Sequence, residues 1–286
     1  MKKQFKKTLE SIQTRSNRST SNTVREFFNC VSYTMIMNSL FQLERRELFY
    51  LGSNAYGFNQ LAIKSGFIQK SITLTDRHKF NIEEKFYNQF ENEIIETANL
   101  ISIEIQKQPL IDIFNELFEE CYLVGKKGNG FAQFLTPNRV SIGAVKFLAI
   151  TKKEKYHIGD ICGGTGSMIL ALTSEIYEKE GLEGIQKIDL FYQDKDPFIS
   201  QIFIAQILTN MVYHNFDFKE LRVYIGDSIT EYDTINTLFL RVKQNKLVAQ
   251  RVSEIDNERK RHDKSGSHGH DFHRFNNNWR NSIDYF

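Results

Sequence analysis

The stretch DICGGTGSM, residues 160–168, decides the fold of this chain. It follows the apolar run YHIGDI (156–161) and leads into a segment with helical spacing of apolar residues, from Thr165 to about Lys179. A glycine-rich turn between a strand and a helix lets a ligand approach the backbone closely, because glycine has no side chain and tolerates unusual backbone angles. The stretch therefore predicts a cofactor site on an α/β sheet.

Two further strand and helix pairs follow this turn. KIDLFY (187–192) precedes a helical segment from Pro197 to about His214, and LRVYIG (221–226) precedes one at about 234–255. Short apolar runs that alternate with helices are typical of βα units, so three such units predict a parallel sheet.

The chain divides into four parts by composition. Residues 1–23 are basic and rich in Ser and Thr, which predicts a flexible arm. Residues 24–124 form a predicted helical domain, 125–255 the domain of βα units, and 256–286 a polar mobile tail, with the glycines of GKKGNG (125–130) at the joint. Two apolar stripes at helical spacing support the helical domain: Val24, Phe27, Phe28, Val31 and Met35, and Phe86, Phe90, Ile94, Ala98, Ile101 and Ile105.

Overall composition indicates a globular protein of the cytoplasm. The chain is 41% hydrophobic, and its net charge of +2 gives no bulk signal for nucleic-acid binding. Its three cysteines are too few and too far apart for a disulfide framework. No apolar segment follows the basic start, and the uncharged stretch 27–41 contains Asn, Ser and Thr, so we expect no membrane span.

The glycine turn does not match the sequence motifs of two other cofactor classes. A phosphate-binding loop needs Lys and then Ser or Thr after the last glycine, whereas Ser167 and Met168 follow here. A dinucleotide fingerprint needs a third glycine three positions after Gly166, and that position is Ile169.

S-adenosyl-L-methionine has needs that the sequence meets. It requires an acid before the turn for the methionine ammonium, an acid at the end of the second strand for the ribose, and a polar group after the third for the adenine. Asp160, Asp194 and Asp227 fall at these three strand ends in order. Ligands of parallel sheets bind at the carboxyl ends of the strands. Each acid alone also fits a helix cap or a turn, but the ordered set favours the cofactor.

Four motifs carry a resemblance to a known family. FAQFLTPNRV (131–140), DICGGTG (160–166), QDKDP (193–197) and GDS (226–228) resemble successive motifs of the N6-adenine DNA methyltransferases, especially the modification subunits of type I restriction systems and their phage relatives. The similarity covers about residues 105–230. It implies an α/β fold: a Rossmann-like S-adenosylmethionine-dependent methyltransferase sheet of three recognisable parallel βα units, incomplete on one side and preceded by an α-helical domain.

The resemblance also implies a cofactor site and a substrate. Asp194 would bind the ribose of S-adenosyl-L-methionine and Asp227 the adenine amino group, while DNA would be the methyl acceptor. The residues with implied contacts to the methionine end are Gln133, Phe134, Thr136, Pro137, Asp160, Gly164 and Gly166.

The sequence departs from the family in two places. Ile161 stands where the family usually has proline. The catalytic motif, Asp/Asn/Ser-Pro-Pro-aromatic, which holds the flipped-out adenine, is absent, since the only prolines are Pro109, Pro137 and Pro197. The nearest formal substitute is NNNW, in which Asn276 and Trp279 are weak catalytic candidates.

Two other candidate groups receive structural interpretations. Cys162 is expected to fill the turn as a small side chain rather than to act as a nucleophile. Metal binding is not expected, because the histidine cluster lacks cysteine partners and falls in the polar tail. The histidines of this cluster are His262, His268, His270 and His273.

Three functional hypotheses follow. The first is a DNA adenine-N6 methyltransferase, acting in restriction-modification or in a phage or plasmid context. The second is a truncated or split, catalytically inactive subunit with a binding or regulatory role. The third keeps the fold but uses RNA or a small molecule. Because no strand follows the third unit, YHIGDI (156–161) is predicted to form a sheet edge, covered by a partner subunit, a second copy or the N-terminal helices.

Overall fold

The computed structural model describes residues 2–50, 72–75, 80, 82–122, 136–232, 234–244 and 254. Its helices are α1 (Lys2–Ser16), α2 (Thr20–Tyr50), α3 (Glu84–Gln89), α4 (Glu91–Lys107), α5 (Ile113–Tyr122), α6 (Asn138–Phe147), α7 (Ser167–Ile185) and α8 (Pro197–Tyr213). Its strands are β1 (Ile72–Leu74), β2 (Tyr156–Asp160), β3 (Ile188–Asp194), β4 (Glu220–Ile225) and β5 (Leu238–Lys243).

The strands form a single sheet in the order β1-β5-β4-β3-β2. Strands β2, β3 and β4 are parallel, with Asp160 opposite Tyr192 and Asp194 opposite Ile225. Strand β5 is antiparallel to β4, and β1 is antiparallel to β5. The mixed α/β fold, with three parallel strands preceded by helices, is confirmed.

The third crossover differs from the prediction. The helix expected at about 234–255 is wrong over Leu238–Lys243, where the chain forms β5 and returns antiparallel beside β4. Leu240 and Val242 alternate with the polar Arg241, so this segment buries one face as a strand does. Residues 245–253 and 255, where the predicted helix would continue, lie outside the described residues.

The helical part and the sheet share one hydrophobic core. Helix α8 is buried from Phe198 to Val212, because it lies between the sheet and α2. Its polar residues contact the N-terminal helices, as Gln201 Nε2 donates to the carbonyl oxygen of Asn29 at 2.7 Å. The described residues between 24 and 122 therefore share this core with the sheet, and the predicted joint at 125–130 lies outside the described residues.

The predicted flexible arm at residues 1–23 is wrong. Helix α1 buries Phe5, Leu9 and Ile12, which are spaced so that they lie on one face. The ring of Phe5 packs 5.3 Å from that of Phe28. The basic residues of this segment contact solvent or acids of other helices, as Arg15 does with Glu93. Because these charged residues dominate the composition, composition alone indicated disorder.

The apolar stripes of the helical part are confirmed as buried. The second stripe is divided between two helices, because the chain bends at Phe90 between α3 and α4. No helix in the described part of the chain is long and apolar enough to cross a membrane. The same part of the chain contains no cluster of His, Cys, Asp and Glu that could hold a metal ion.

Strand β2 ends the sheet within the described ranges, as the sequence predicts. The N-terminal part supplies β1, which pairs with β5 at the opposite edge. The described N-terminal residues therefore add no strand to the β2 edge.

Candidate functional site

The three predicted acids lie at one edge of the sheet. Asp160 is the last residue of β2, Asp194 is the last of β3, and Asp227 follows β4 by two residues. The turns after β2 and β4 approach one another, since Cys162 Sγ lies 3.9 Å from Ser228 Oγ. The carboxyl ends of three parallel strands thus carry a compact group of carboxylates.

The glycine turn connects β2 to α7 in a tight conformation. Gly164 has φ +54° and Gly166 has φ +91°, both in the left-handed region that glycine tolerates. The N–H of Gly166 donates to the carbonyl oxygen of Gly163 at 2.8 Å, and that of Gly163 donates to the carbonyl of Gln193 at 3.1 Å. The turn is therefore held against the end of β3.

An aromatic pair beneath the turn explains two of its glycines. The rings of Tyr192 and Phe203 stack 4.0 Å apart at 6°. A Cβ at Gly163 would lie 2.3 Å from Tyr192, and one at Gly166 would lie 2.3 Å from Phe203. Core packing thus requires glycine at both positions. This role could not be predicted from the sequence, because Tyr192 and Phe203 occupy ordinary apolar positions of β3 and α8.

Asp194 connects the turn to β3 and keeps acceptor capacity. Its Oδ2 accepts the N–H of Gly164 at 3.0 Å, and its Oδ1 accepts the N–H of Asp196 at 2.9 Å. A carboxylate has about four acceptor positions, so each oxygen has one lone pair left. Two hydroxyl groups of a diol match that remaining capacity.

Asp160 is a carboxylate in an unfavourable environment. Its Oδ1 accepts the N–H of Cys162 at 3.1 Å, while burial and the charge of Asp194 raise the pKa of Asp160. In the part of the chain that the structure describes, no Lys, Arg or His forms an ion pair with Asp160 or Asp194. A cationic ligand would relieve the repulsion between these two acids.

Asp227 has a local role as well. Its Oδ1 accepts the N–H of Ile229 at 2.8 Å and that of Thr230 at 3.3 Å, as in a turn cap. The side chain is exposed, and its second oxygen remains available to a ligand at the sheet edge.

The segment before α6 is described in part. Thr136 and Pro137 are exposed and directly precede the helix, while Gln133 and Phe134 lie outside the described residues. Asn276 and Trp279, the weak catalytic candidates, lie outside them too, as does the histidine cluster. The structure therefore brings Asp160, Asp194, Asp227 and the glycines to one edge.

Sequence reasoning missed two polar residues before and within α5. Helix α5 starts at Ile113, and Asp112 directly before it caps the helix. Asp112 Oδ1 accepts the N–H of Asn115 at 3.0 Å, and Asn115 Nδ2 donates to the carbonyl oxygen of Thr136 at 2.6 Å. An acid three residues before a polar residue at a helix start is a recognisable capping pattern, and it could have located Asp112.

Comparison with known families gives a match over this region. Residues 109–261, more than half of the 286 residues, match the model of the family described as N-6 DNA Methylase. The matched stretch contains α5, the glycine turn and all three strand-end acids. No curated protein matches the chain.

Proposed function

The chain belongs to the N-6 DNA methylase family, and from this premise we propose that it binds S-adenosyl-L-methionine at the carboxyl ends of β2, β3 and β4. DNA is the proposed methyl acceptor. The observation that carries the proposal is the pair Asp160 and Asp194, two neighbouring acids without a cationic partner among the described residues.

The residues present fit this cofactor. The free acceptor positions of Asp194 match the two ribose hydroxyls, and the carboxylate of Asp160 matches the methionine ammonium. Gly164 is half-buried beside them, Gly166 is buried beneath the turn, and Asp227 is available for the adenine amino group. The remaining proposed contacts to the methionine part come from Gln133, Phe134, Thr136 and Pro137.

When bound, S-adenosylmethionine supplies a methyl group on a positively charged sulfur. The contribution of this chain would be orientation: Asp160 would hold the methionine ammonium and Asp194 the ribose hydroxyls, on either side of the sulfonium. Such positioning lowers the barrier to transfer because the reacting atoms need not find their alignment by diffusion.

Calorimetry with S-adenosylmethionine and its demethylated product tests the site. We expect Asp194→Ala to weaken binding at least tenfold, because two charge-assisted hydrogen bonds to the ribose are lost. Asp189→Ala is the matched control: Asp189 lies at the other end of β3 and pairs with Lys155 at 2.7 Å. Equal affinity of the Asp194→Ala variant and the unaltered protein would contradict the proposal.

The absence of a Pro-Pro pair supports a second candidate function. The chain contains three, none adjacent to another, so it lacks the Pro-Pro-aromatic motif that would hold a flipped adenine. On this proposal the protein is a cofactor-binding subunit of a DNA modification system, and catalysis needs a partner chain.

A methyl-transfer assay separates the two candidates. The chain alone, incubated with labelled S-adenosylmethionine and adenine-containing DNA, is expected to give no incorporation while it still binds the cofactor. Incorporation that Trp279→Ala abolishes would support the first candidate and identify the NNNW segment as catalytic. A parallel assay with RNA of the same sequence tests the remaining acceptor class.

A further inference from the structure

Asp112 is a buried carboxylate behind the glycine turn. It is 4% exposed, and its Oδ2 accepts the hydroxyl of Thr165 at 3.0 Å and that of Ser167. Thr165 is the residue between Gly164 and Gly166, the two glycines with positive φ. Asp112 therefore contacts the turn between the two residues whose backbone is left-handed.

The same carboxylate joins the turn to the segment before α6. Asn115, whose backbone N–H donates to Asp112, also donates from its side-chain Nδ2 to the carbonyl oxygen of Thr136 at 2.6 Å and to Ser167 Oγ at 3.2 Å. Asn138 Nδ2 donates in return to the carbonyl oxygen of Asp112 at 2.9 Å. Two parts of the proposed site, far apart in sequence, are thus connected through Asp112 and Asn115.

Thr165 is held from its other side as well. Gln206 Nε2, on α8, donates to the carbonyl oxygen of Thr165 at 3.0 Å. Burial raises the pKa of Asp112, although its hydrogen bonds oppose the shift, and no described Lys, Arg or His pairs with this carboxyl. An unpaired buried carboxylate is costly, so its hydrogen bonds to Thr165, Ser167 and Asn115 are what offset that cost.

We propose that Asp112 is a positioning residue of the cofactor site: it holds Thr165, and with it the glycine turn, in the conformation that receives the methionine end. With Asn115 it also sets the distance between the turn and the segment Thr136–Pro137. This inference rests on the proposed function, since it assigns Asp112 a role in the same site.

Paired variants test the role by calorimetry with the demethylated cofactor. Asp112→Asn, whose amide has one acceptor oxygen in place of two, is expected to weaken binding about tenfold, a change of about 1.4 kcal/mol. Thr165→Val should weaken binding by a similar factor. Thr165→Ser keeps the hydroxyl and should bind with the affinity of the unaltered protein. The double variant Asp112→Asn/Thr165→Val should be little weaker than either single variant, because both remove the same contact.

The control is a buried carboxylate elsewhere. Asp217 pairs with Arg46 and is 7% exposed, so Asp217→Asn should lower stability while leaving affinity within twofold. Equal weakening in the Asp217→Asn variant would show that general destabilisation is the cause and would overturn the proposal. Where Asp112→Asn does not fold, the comparison of Thr165→Val with Thr165→Ser decides.

Amide hydrogen exchange of the ligand-free protein gives an independent reading. We expect the amides of residues 163–167 to exchange faster in the Asp112→Asn and Thr165→Val variants than in the unaltered protein. In the Asp217→Asn variant their exchange rates should not change. If the unaltered protein binds no cofactor, the proposed function fails, and exchange alone decides whether Asp112 orders the turn. Unchanged exchange overturns the inference, as does faster exchange with undiminished affinity.

Discussion

Asp160 and Asp194 end neighbouring parallel strands, and burial of Asp160, together with the charge of Asp194, raises the pKa of Asp160. A carboxyl group with a raised folded-state pKa favours the folded protein at low pH, and this contribution is lost as the pH rises through that pKa. Above its raised pKa, Asp160 therefore opposes folding in the absence of ligand.

We accordingly expect Asp160→Asn to raise the unfolding temperature of the ligand-free protein at pH 7 and to weaken cofactor binding. The gain should shrink as the pH falls through the raised pKa toward the ordinary aspartate pKa of about 3.9, below which the carboxyl is protonated in both states. Thermal unfolding between pH 4 and 8 measures it. Asp189→Asn, which removes a carboxylate paired with Lys155, should give no gain at pH 7. An Asp160→Asn variant less stable at pH 7 would argue against the repulsion.

Substitution of Gly166 should destabilise the fold strongly. Gly166→Ala places a Cβ 2.3 Å from Phe203 at φ +91°, so we expect a loss of about 2–4 kcal/mol in unfolding free energy from overpacking and backbone strain. Gly143→Ala is the control, because no atom lies within 4 Å of its Cβ and alanine favours the helical conformation of α6. Urea unfolding of both variants checks the difference, and equal stabilities would refute the packing argument.

Docking of α1 has a measurable energetic consequence. Ile12 is fully buried, so Ile12→Ala should cost about 2–5 kcal/mol of unfolding free energy. Lys6→Ala, at an exposed position of the same helix, should change it by no more than about 0.5 kcal/mol. Denaturant titration distinguishes a docked helix from a flexible arm, for which neither substitution would matter.

The edge of β2 should bind a second copy of the chain. The N–H of Tyr156 donates to the carbonyl oxygen of Lys187 at 3.1 Å, so alternation directs the backbone groups of His157 and Gly159 outward. Ile161, directly after this strand in sequence, is an exposed apolar residue. Antiparallel pairing of two copies would bring the lysines before β2 (Lys152, Lys153 and Lys155) toward Asp160 of the other copy.

Light scattering measures this association. We expect a dimer for the unaltered protein and a monomer for His157→Pro, which removes an outward N–H without breaking a bond to β3. His157→Ala retains that N–H and should remain dimeric. A monodisperse monomer of the unaltered protein would contradict self-association through β2.

The sequence by itself determined the first two βα units, the third parallel strand and the order of the strand-end acids. Helical and strand periodicities are local properties, and the glycines of 163–166 mark a turn without reference to the rest of the chain. Because parallel strands place their carboxyl ends at one edge, Asp160, Asp194 and Asp227 could be assigned to a common site from their positions alone.

The tertiary structure decided the features that depend on distant partners. Helix α1 docks because Phe5 meets Phe28, and residues 238–243 form a strand because β4 offers an edge to pair with. Likewise, Gly166 is required by Phe203, and the glycine turn is held by Asp112, more than 50 residues earlier. Such contacts stabilise a segment only after the chain has folded back on itself. Local sequence patterns therefore do not predict which distant side chain will contact a given segment.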